Sequence, residues 1–312
     1  MKKVRNYEKI DKLGQGAYGS ISKAKDEKGN EFAIKEFSQK DKKELKNEGI
    51  PPSAIREVLA LTNLVHINIE RLIDILHIPD NYTLVFEFVD TDLKKIIDSR
   101  KKEDSRFTPA EVKSYLYQLL KGVAYIHKNH FLHRDLKPGN LLITKDKVLK
   151  IADFGLCRSC FLPDKDYSNN VVTYGYRSPD VFLGNTQYSY DIDIWSIGCI
   201  FAELVLLEPL FKTTEPYILK YIFTFLGTPT LKTYPGLKYL PLWEDYKNEK
   251  IEGIGLREKM KDLDNDGFDL LMKFLQIDPN KRISAKEALN HPYFKDLDEK
   301  TKKLYINENL NK

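Results

Sequence analysis

The sequence predicts an α+β fold in two lobes, a small β-rich lobe followed by a larger, mostly helical one. Two observations carry that prediction. Short β-type segments fill the first third of the chain, and helix signals dominate after Asp92. The length of 312 residues fits, being enough for one large or two small domains at roughly 150 residues each.

Residues 7–13, 21–24 and 31–37 read as strands. Glycine-rich residues 14–19 turn the chain between the first two, and Lys28-Gly29-Asn30 turns it between the next two. Residues 50–65 read as a helix: Pro52 and Ser53 stand at its start, and Ile55, Val58, Leu59 and Thr62 fall near one face. Strands follow at 72–77 and 82–88. Thr108-Pro109-Ala110-Glu111 combines a capping threonine, proline at the first helical position and glutamate at the third, which predicts a helix running to about Lys128. The most apolar stretch, 194–211, is interrupted by Glu203, Glu208 and Pro209. It falls short of the ~20 clean residues of a membrane span and reads as a buried core helix. The lobes divide near 87–92, giving residues 1–88, residues 89–294 and a polar tail, 295–312, expected to fray.

Composition narrows the function classes. With 42% hydrophobic and 31% charged residues the chain is globular rather than disordered. Fifty basic against 46 acidic residues leave a net charge of +4, too small to suggest a nucleic-acid or membrane-surface partner. Cys157, Cys160 and Cys199 are too few and too odd in number for a disulfide framework, and fit a reducing compartment. Residues 1–8 carry charge with no apolar run after them, so no secretory leader is expected.

Gly14-Gln15-Gly16-Ala17-Tyr18-Gly19-Ser20-Ile21 is a glycine loop between two strands, where backbone amides can face phosphate oxygens. A dinucleotide-binding loop would pass directly into a helix; here a strand continues, although the loop alone equally suits a plain hairpin. Lys35 ends the apolar run Phe32-Ala33-Ile34 beneath the loop and needs a counter-charge, for which Glu57 is the candidate. Taken alone, those two are more readily unrelated surface charges. His133-Arg134-Asp135-Leu136-Lys137-Pro138-Gly139-Asn140, followed by Asp153-Phe154-Gly155, changes the balance. Asp153 and Asn140 supply the oxygen donors that magnesium requires. Asp135 is left to accept a hydroxyl proton, and Lys137 to neutralise a transferring phosphoryl group.

In order and context these motifs resemble the eukaryotic protein kinases. Ser178-Pro179-Asp180 stands where that family has Ala-Pro-Glu, residues 193–198 match its next helix, and Arg282 its late arginine. The resemblance covers residues 7–294 and implies the bilobal kinase fold, with ATP and magnesium at one site between a kinase N-lobe and C-lobe. It assigns Leu13, Gly14, Gln15, Gly16, Ala17, Tyr18, Gly19, Ser20, Ile21, Ala33, Lys35, Phe86, Glu87, Val89, Asp92 and Leu142 to ATP. Asp135, Lys137, Lys35 and Glu57 become the catalytic set, and Asn140 and Asp153 the metal ligands.

Pro52-Ser53-Ala54-Ile55-Arg56-Glu57 is similar to the helix that cyclin-dependent kinases present to their cyclin, lacking one threonine of the usual pattern. Residues 84–88, 195–203, 226–229 and 278–285 resemble the same family. The resemblance implies transfer of the ATP γ-phosphate to Ser or Thr preceding Pro, and a cyclin-like partner that brings the 52–57 helix inward to complete the Lys35–Glu57 pair. It also implies a role in cell division, in the nucleus with the cytoplasm as a second location. Ser168 aligns with the usual phosphothreonine, and Arg56, Arg134 and Arg158 with the arginines that clasp it, though a solvated loop hydroxyl is the plain alternative. Serine at 168 and Asp180 lean toward the neuronal and phosphate-response branches. A transcription-associated or kinase-activating relative, and a catalytically silent kinase-fold scaffold, are the rival readings.

Several positions depart from the pattern. Ala17 has no hydroxyl, which leaves Tyr18 as the inhibitory phosphosite of that loop. Gly175 replaces tryptophan beside Val171 and Val172, which line the proline-accepting pocket. Asp180 is one methylene shorter than glutamate, which predicts a longer ion pair to Arg282. Asp262-Leu263-Asp264-Asn265-Asp266-Gly267 begins like a calcium loop, but Lys273 stands where the bidentate glutamate is required, so a loop leading into a helix is expected. Cys157 and Cys160 have C-x-x-C spacing with no second pair for zinc. The lysine-rich residues 40–46 read as a solvated loop.

Overall fold

Six antiparallel strands make the first layer of the structure, a computed structural model that describes residues 3–4, 6–16, 19–38, 50–78, 81–160, 173–212, 217–298 and 302. In chain order these are β1 (Lys3–Val4), β2 (Tyr7–Gly16), β3 (Gly19–Lys25), β4 (Glu31–Ser38), β5 (Leu72–Ile78) and β6 (Asn81–Glu87), with helix α1 (Pro52–Asn63) between β4 and β5. Their spatial order is β1-β2-β3-β4-β6-β5. Strand alternation separates the two faces. Ala24, Ile34, Leu76 and Val85 form a small apolar cluster on one face, backed by Tyr7 and Phe32. Phe37, Leu84 and Phe86 join the main core from the other face, and β4 places Ala33 and Lys35 on that same side. β2 and β3 pair to the end of the glycine loop, with Gly16 opposite Gly19. A Cβ on Gly19 would lie 1.8 Å from the Glu36 carbonyl oxygen, so only glycine lets β3 approach β4 there.

The second lobe is helical. It contains β7 (Thr91–Asp92), α2 (Leu93–Lys102), α3 (Pro109–Lys128), β8 (Phe131–Leu132), β9 (Leu141–Ile143), β10 (Leu149–Ile151), β11 (Arg158–Ser159), α4 (Pro179–Phe182), α5 (Asp191–Leu206), α6 (Ile218–Leu226), α7 (Asn265–Phe274) and α8 (Ala285–Ala288). The short strands form two ribbons, β10-β9-β7 and β11-β8, which carry the loops that face the large sheet. α3 starts where the sequence predicts: the Thr108 hydroxyl accepts from the Glu111 amide at 3.2 Å, and the Glu111 carboxylate accepts from the Thr108 amide at 3.0 Å. α5 is the predicted core helix. It is buried all round from Ile192 to Leu204, mostly by apolar residues, with Asp193, Ser196 and Glu203 enclosed among them. Among the described residues no helix is long and apolar enough to cross a membrane.

Two expectations are revised. In α1 the predicted apolar face points outward: Ile55 and Leu59 are 51% and 53% exposed, while Ser53, Ala54, Glu57, Ala60 and Leu61 are buried. The reason is electrostatic. Glu57 has a cation waiting inside, and a helix cannot bury both faces against one sheet. The Asp180–Arg282 pair is also not lengthened. Arg282 Nη2 lies 2.6 Å from Asp180 Oδ1 with both side chains fully buried, because α4 carries Asp180 to the guanidinium and offsets its shorter arm. Asp191 accepts from Nη1 at 3.2 Å, and the guanidinium stands 5.3 Å from the centre of the Trp195 ring. The calcium-like loop leads into α7, with Asp264 capping the Gly267 amide at 2.7 Å.

Arg282→Ala would leave two buried carboxylates without their cation. The expected loss is about 3–5 kcal/mol, as for removal of one partner of a buried pair. Urea unfolding measures it, and a loss below about 1 kcal/mol would show that the pair is not a structural determinant.

Candidate active site

Residues far apart in sequence line one cavity of about 500 Å³ between the sheet and the helical lobe. β2, β3 and β4 supply Leu13, Gly14, Ile21 and Ala33, and β9 supplies Leu142 opposite them. Phe86, Glu87, Val89 and Asp92 follow the connection out of β6. The Glu87 carboxylate is already occupied by Lys150 at 2.8 Å and the Arg71 amide at 2.8 Å. Asp92 is occupied by the amide of Lys95 at 2.9 Å, capping α2.

β4 aims Lys35 into the cavity. Its Nζ donates to both Glu57 oxygens at 2.9 and 2.8 Å and to Asp153 Oδ1 at 3.0 Å, which uses all three of its protons. Burial disfavours the ammonium charge, but Glu57 and Asp153 outweigh burial and hold Lys35 protonated above its ordinary range. Burial likewise raises the Glu57 carboxyl, only partly offset by Lys35, since Asp153 adds a like charge. Asp153 is less enclosed: burial raises it, Lys35 lowers it further, and it stays ionised. Asp153 takes a left-handed φ of 64°, a strained conformation for a non-glycine residue. The fully buried Phe154, edge-on to His133 at 4.9 Å, helps hold it.

The loop after β8 is hung on Asp193 of α5. One Asp193 oxygen accepts from the His133 amide at 3.0 Å and from His127 Nε2 at 2.9 Å, and the other from the Arg134 amide at 2.9 Å. Burial raises this carboxyl, but the hydrogen bonds from His127 and the Arg134 amide bring it below the usual range. Arg134 is thereby held at a φ of 68°. The loop then presents Asp135, whose Oδ2 accepts from Lys137 at 2.7 Å and from Asn140 Nδ2 at 3.1 Å. Its Oδ1 accepts from the Thr173 hydroxyl at 2.9 Å and the Thr173 amide at 3.1 Å. Lys137 also reaches the Thr173 hydroxyl at 3.0 Å. Asn140 commits its amide nitrogen to Asp135, so its carbonyl oxygen and the Asp153 carboxylate are the oxygen donors along this wall. Among the described residues no three His, Cys, Asp or Glu side chains group as metal ligands. The pair is therefore suited to a hard cation that takes its remaining ligands from phosphate and water.

Gly19 and Ser20 do not line the cavity; they sit in β3, and Ser20 Oγ donates to Glu36 at 3.4 Å. Gln15 and Gly16 are placed by their backbone in β2. Ala17, Tyr18, Ser168, Val171, Val172 and the 40–46 lysines lie outside the described residues. Arg56 Nε donates to the Gly155 carbonyl at 2.8 Å and Arg134 Nε to the Leu156 carbonyl at 2.7 Å. Arg158 follows on β11, its Nε buried with no hydrogen-bond partner among the described residues.

Three residues that sequence reasoning passed over belong to this site or its support: Thr173, Asp193 and Glu70. Thr173 carries no spacing signal, being 38 positions from Asp135. Glu70 lies in Ile67-Asn68-Ile69-Glu70-Arg71-Leu72, where its polar neighbours Asn68 and Arg71 hide any signal of burial. It is buried on the cavity wall, and burial, with Glu57 adding to it against Lys35, pushes its carboxyl up to about 8.

The arrangement places a protonated lysine at one end of the cavity and an aspartate flanked by a second lysine at the other. Two oxygen donors lie along the wall between. Such a site is built for a polyanion and for moving a proton from a hydroxyl. A family model described as "Protein kinase domain" matches residues 7–294.

Thr173→Val would remove the hydroxyl shared by Asp135 and Lys137. Turnover should fall about tenfold to a hundredfold, at the low end for a proton-transfer contribution, with Thr173→Ser restoring most of it. Steady-state kinetics measure this; unchanged kcat in the valine variant would remove Thr173 from the site.

Proposed function

The chain belongs to the protein kinase family, and from that premise we propose that it is a serine/threonine kinase of the cyclin-dependent type, moving the ATP γ-phosphate to Ser or Thr followed by Pro. The observation that carries the reading is the convergence of Lys35, Glu57, Asp135, Lys137, Asn140 and Asp153 on one cavity. Asp135 orients the substrate hydroxyl and accepts its proton. Lys137, 2.7 Å from Asp135, adds positive charge where the phosphoryl group passes. Lys35 holds the α- and β-phosphates, and Glu57 fixes the lysine's direction. Magnesium would be held by Asn140 and Asp153, and when bound it neutralises phosphate charge. The apolar walls formed by Leu13, Ala33 and Leu142 suit the adenine ring.

The cyclin-like partner has support from α1. Its outward face leaves Ile55 and Leu59, one turn apart, half exposed on the side opposite the buried Glu57. A partner covering that face would hold Glu57 against Lys35. The clasp for a phosphate on Ser168 is supported by Arg158, whose Nε is buried without a described hydrogen-bond partner, close in sequence to the carbonyls that anchor Arg56 and Arg134. The preference for proline, the nuclear site and the role in cell division rest on resemblance.

Labelled ATP and a Ser-Pro peptide, with the partner present, test the reading. Transfer should be abolished by Asp153→Ala with the melting temperature maintained, and should drop at least about tenfold on a Ser-Ala peptide. Full activity of the Asp153 variant would sink the assignment, and equal use of both peptides would sink the proline preference. For the partner, Ile55→Asp with Leu59→Asp should weaken association at least about tenfold in a titration, two charges having replaced an apolar contact. Unaltered affinity would place the partner elsewhere.

A further inference from the structure

The most enclosed part of the cavity holds three carboxylates, Glu57, Glu70 and Asp153, and a single lysine. Lys35 gives its protons to Glu57 and Asp153. Nothing is left for Glu70. Its backbone is fixed, the amide donating to the Ile151 carbonyl at 2.9 Å just before β5 begins. Its side chain lines the cavity with only 9% of the residue exposed. Among the described residues no hydrogen bond or salt bridge reaches its carboxyl; burial raises its pKa to about 8, and a cation brought beside it would draw the proton off.

An acid in this state lacks a donor that a ligand can bring. The groups facing it are Lys35 from β4, Glu57 from α1, Glu87 from β6 and Asp153, so the local balance is acidic and favours a second cation. The walls nearer the opening, Leu13, Ala33 and Leu142, are apolar and suit a flat ring. We propose that Glu70 makes the inner end of this cavity a receptor for a cationic arm. Ligands that join a heteroaromatic ring to an ammonium or amidinium group bind here in preference to their uncharged counterparts. Glu70 is then a specificity-determining residue of the site. The inference rests on reading this cavity as the nucleotide site.

A matched pair of probes tests it: adenine bearing a 3-aminopropyl arm on its exocyclic nitrogen, and adenine bearing an n-butyl arm of the same length. Calorimetry on the full chain should give a preference of about tenfold to a hundredfold for the ammonium probe, the range of a hydrogen bond to a charged group. Glu70→Leu should remove the preference. Glu70→Gln, which keeps the shape and loses the charge, should reduce it and guards against a leucine variant that does not fold. Equal binding of the two probes to the unmodified chain, no binding of the ammonium probe, or a preference that survives both substitutions would overturn the proposal. Failure of ATP to displace a bound probe would count against the nucleotide-site reading, while the ratio of the two affinities still decides the role of Glu70.

Discussion

One buried carboxylate sets the geometry on which the active site depends. Asp193 sits at the start of the most buried helix and accepts hydrogen bonds from two successive backbone amides and from His127. A loop hung on that carboxylate inherits the rigidity of the core. Arg134 is thereby kept in a left-handed conformation, and Asp135 leaves the loop at a fixed angle. Strain of this kind persists only where the surroundings over-determine it. Here a fully buried helix and a buried histidine do so.

The sheet side of the site is held by charge. Lys35 bridges the sheet, α1 and the segment after β10 through Glu57 and Asp153. Such a bridge gains little net stability, since burial works against all three charges. Its value is positional: displacing α1 would leave Glu57 without its cation or pull the lysine away. That dependence explains why α1 buries the face that carries Glu57 with Ala54, Ala60 and Leu61 and leaves Ile55 and Leu59 outside. The same shortage of cations leaves Glu70 without an ion-pair partner among the described residues.

Much of this was legible in the sequence. The threonine cap of α3 and the burial of the mostly apolar α5 are local properties, and they appear where expected. The motifs around Asp135 and Asp153 named most of the cavity's charged lining. α1 is a helix as expected, but its apolar periodicity gives no sign that the face carrying Glu57 is the buried one. Periodicity ranks residues by their affinity for water, and a buried ion pair inverts that ranking. Gly19 was grouped with the phosphate loop, yet the close approach of the Glu36 carbonyl accounts for it. Arg282 and Asp180 were matched as a pair, while the length of that pair depended on where the two backbones run.

The sequence by itself determined the elements and the chemical inventory: which segments form strands, which helix is buried throughout, and which acids, bases and amides are available for phosphate chemistry. These follow from local propensity and from residue types, which need no partner to be read. The tertiary structure alone decided the pairings. Thr173 meets Asp135 across 38 positions, Asp153 meets Lys35 across 118, and Glu70 comes to face Lys35 without an ion pair among the described residues. Burial turns such placements into chemistry, because a charge removed from water depends on the few groups it touches, and chain order does not say which groups those are.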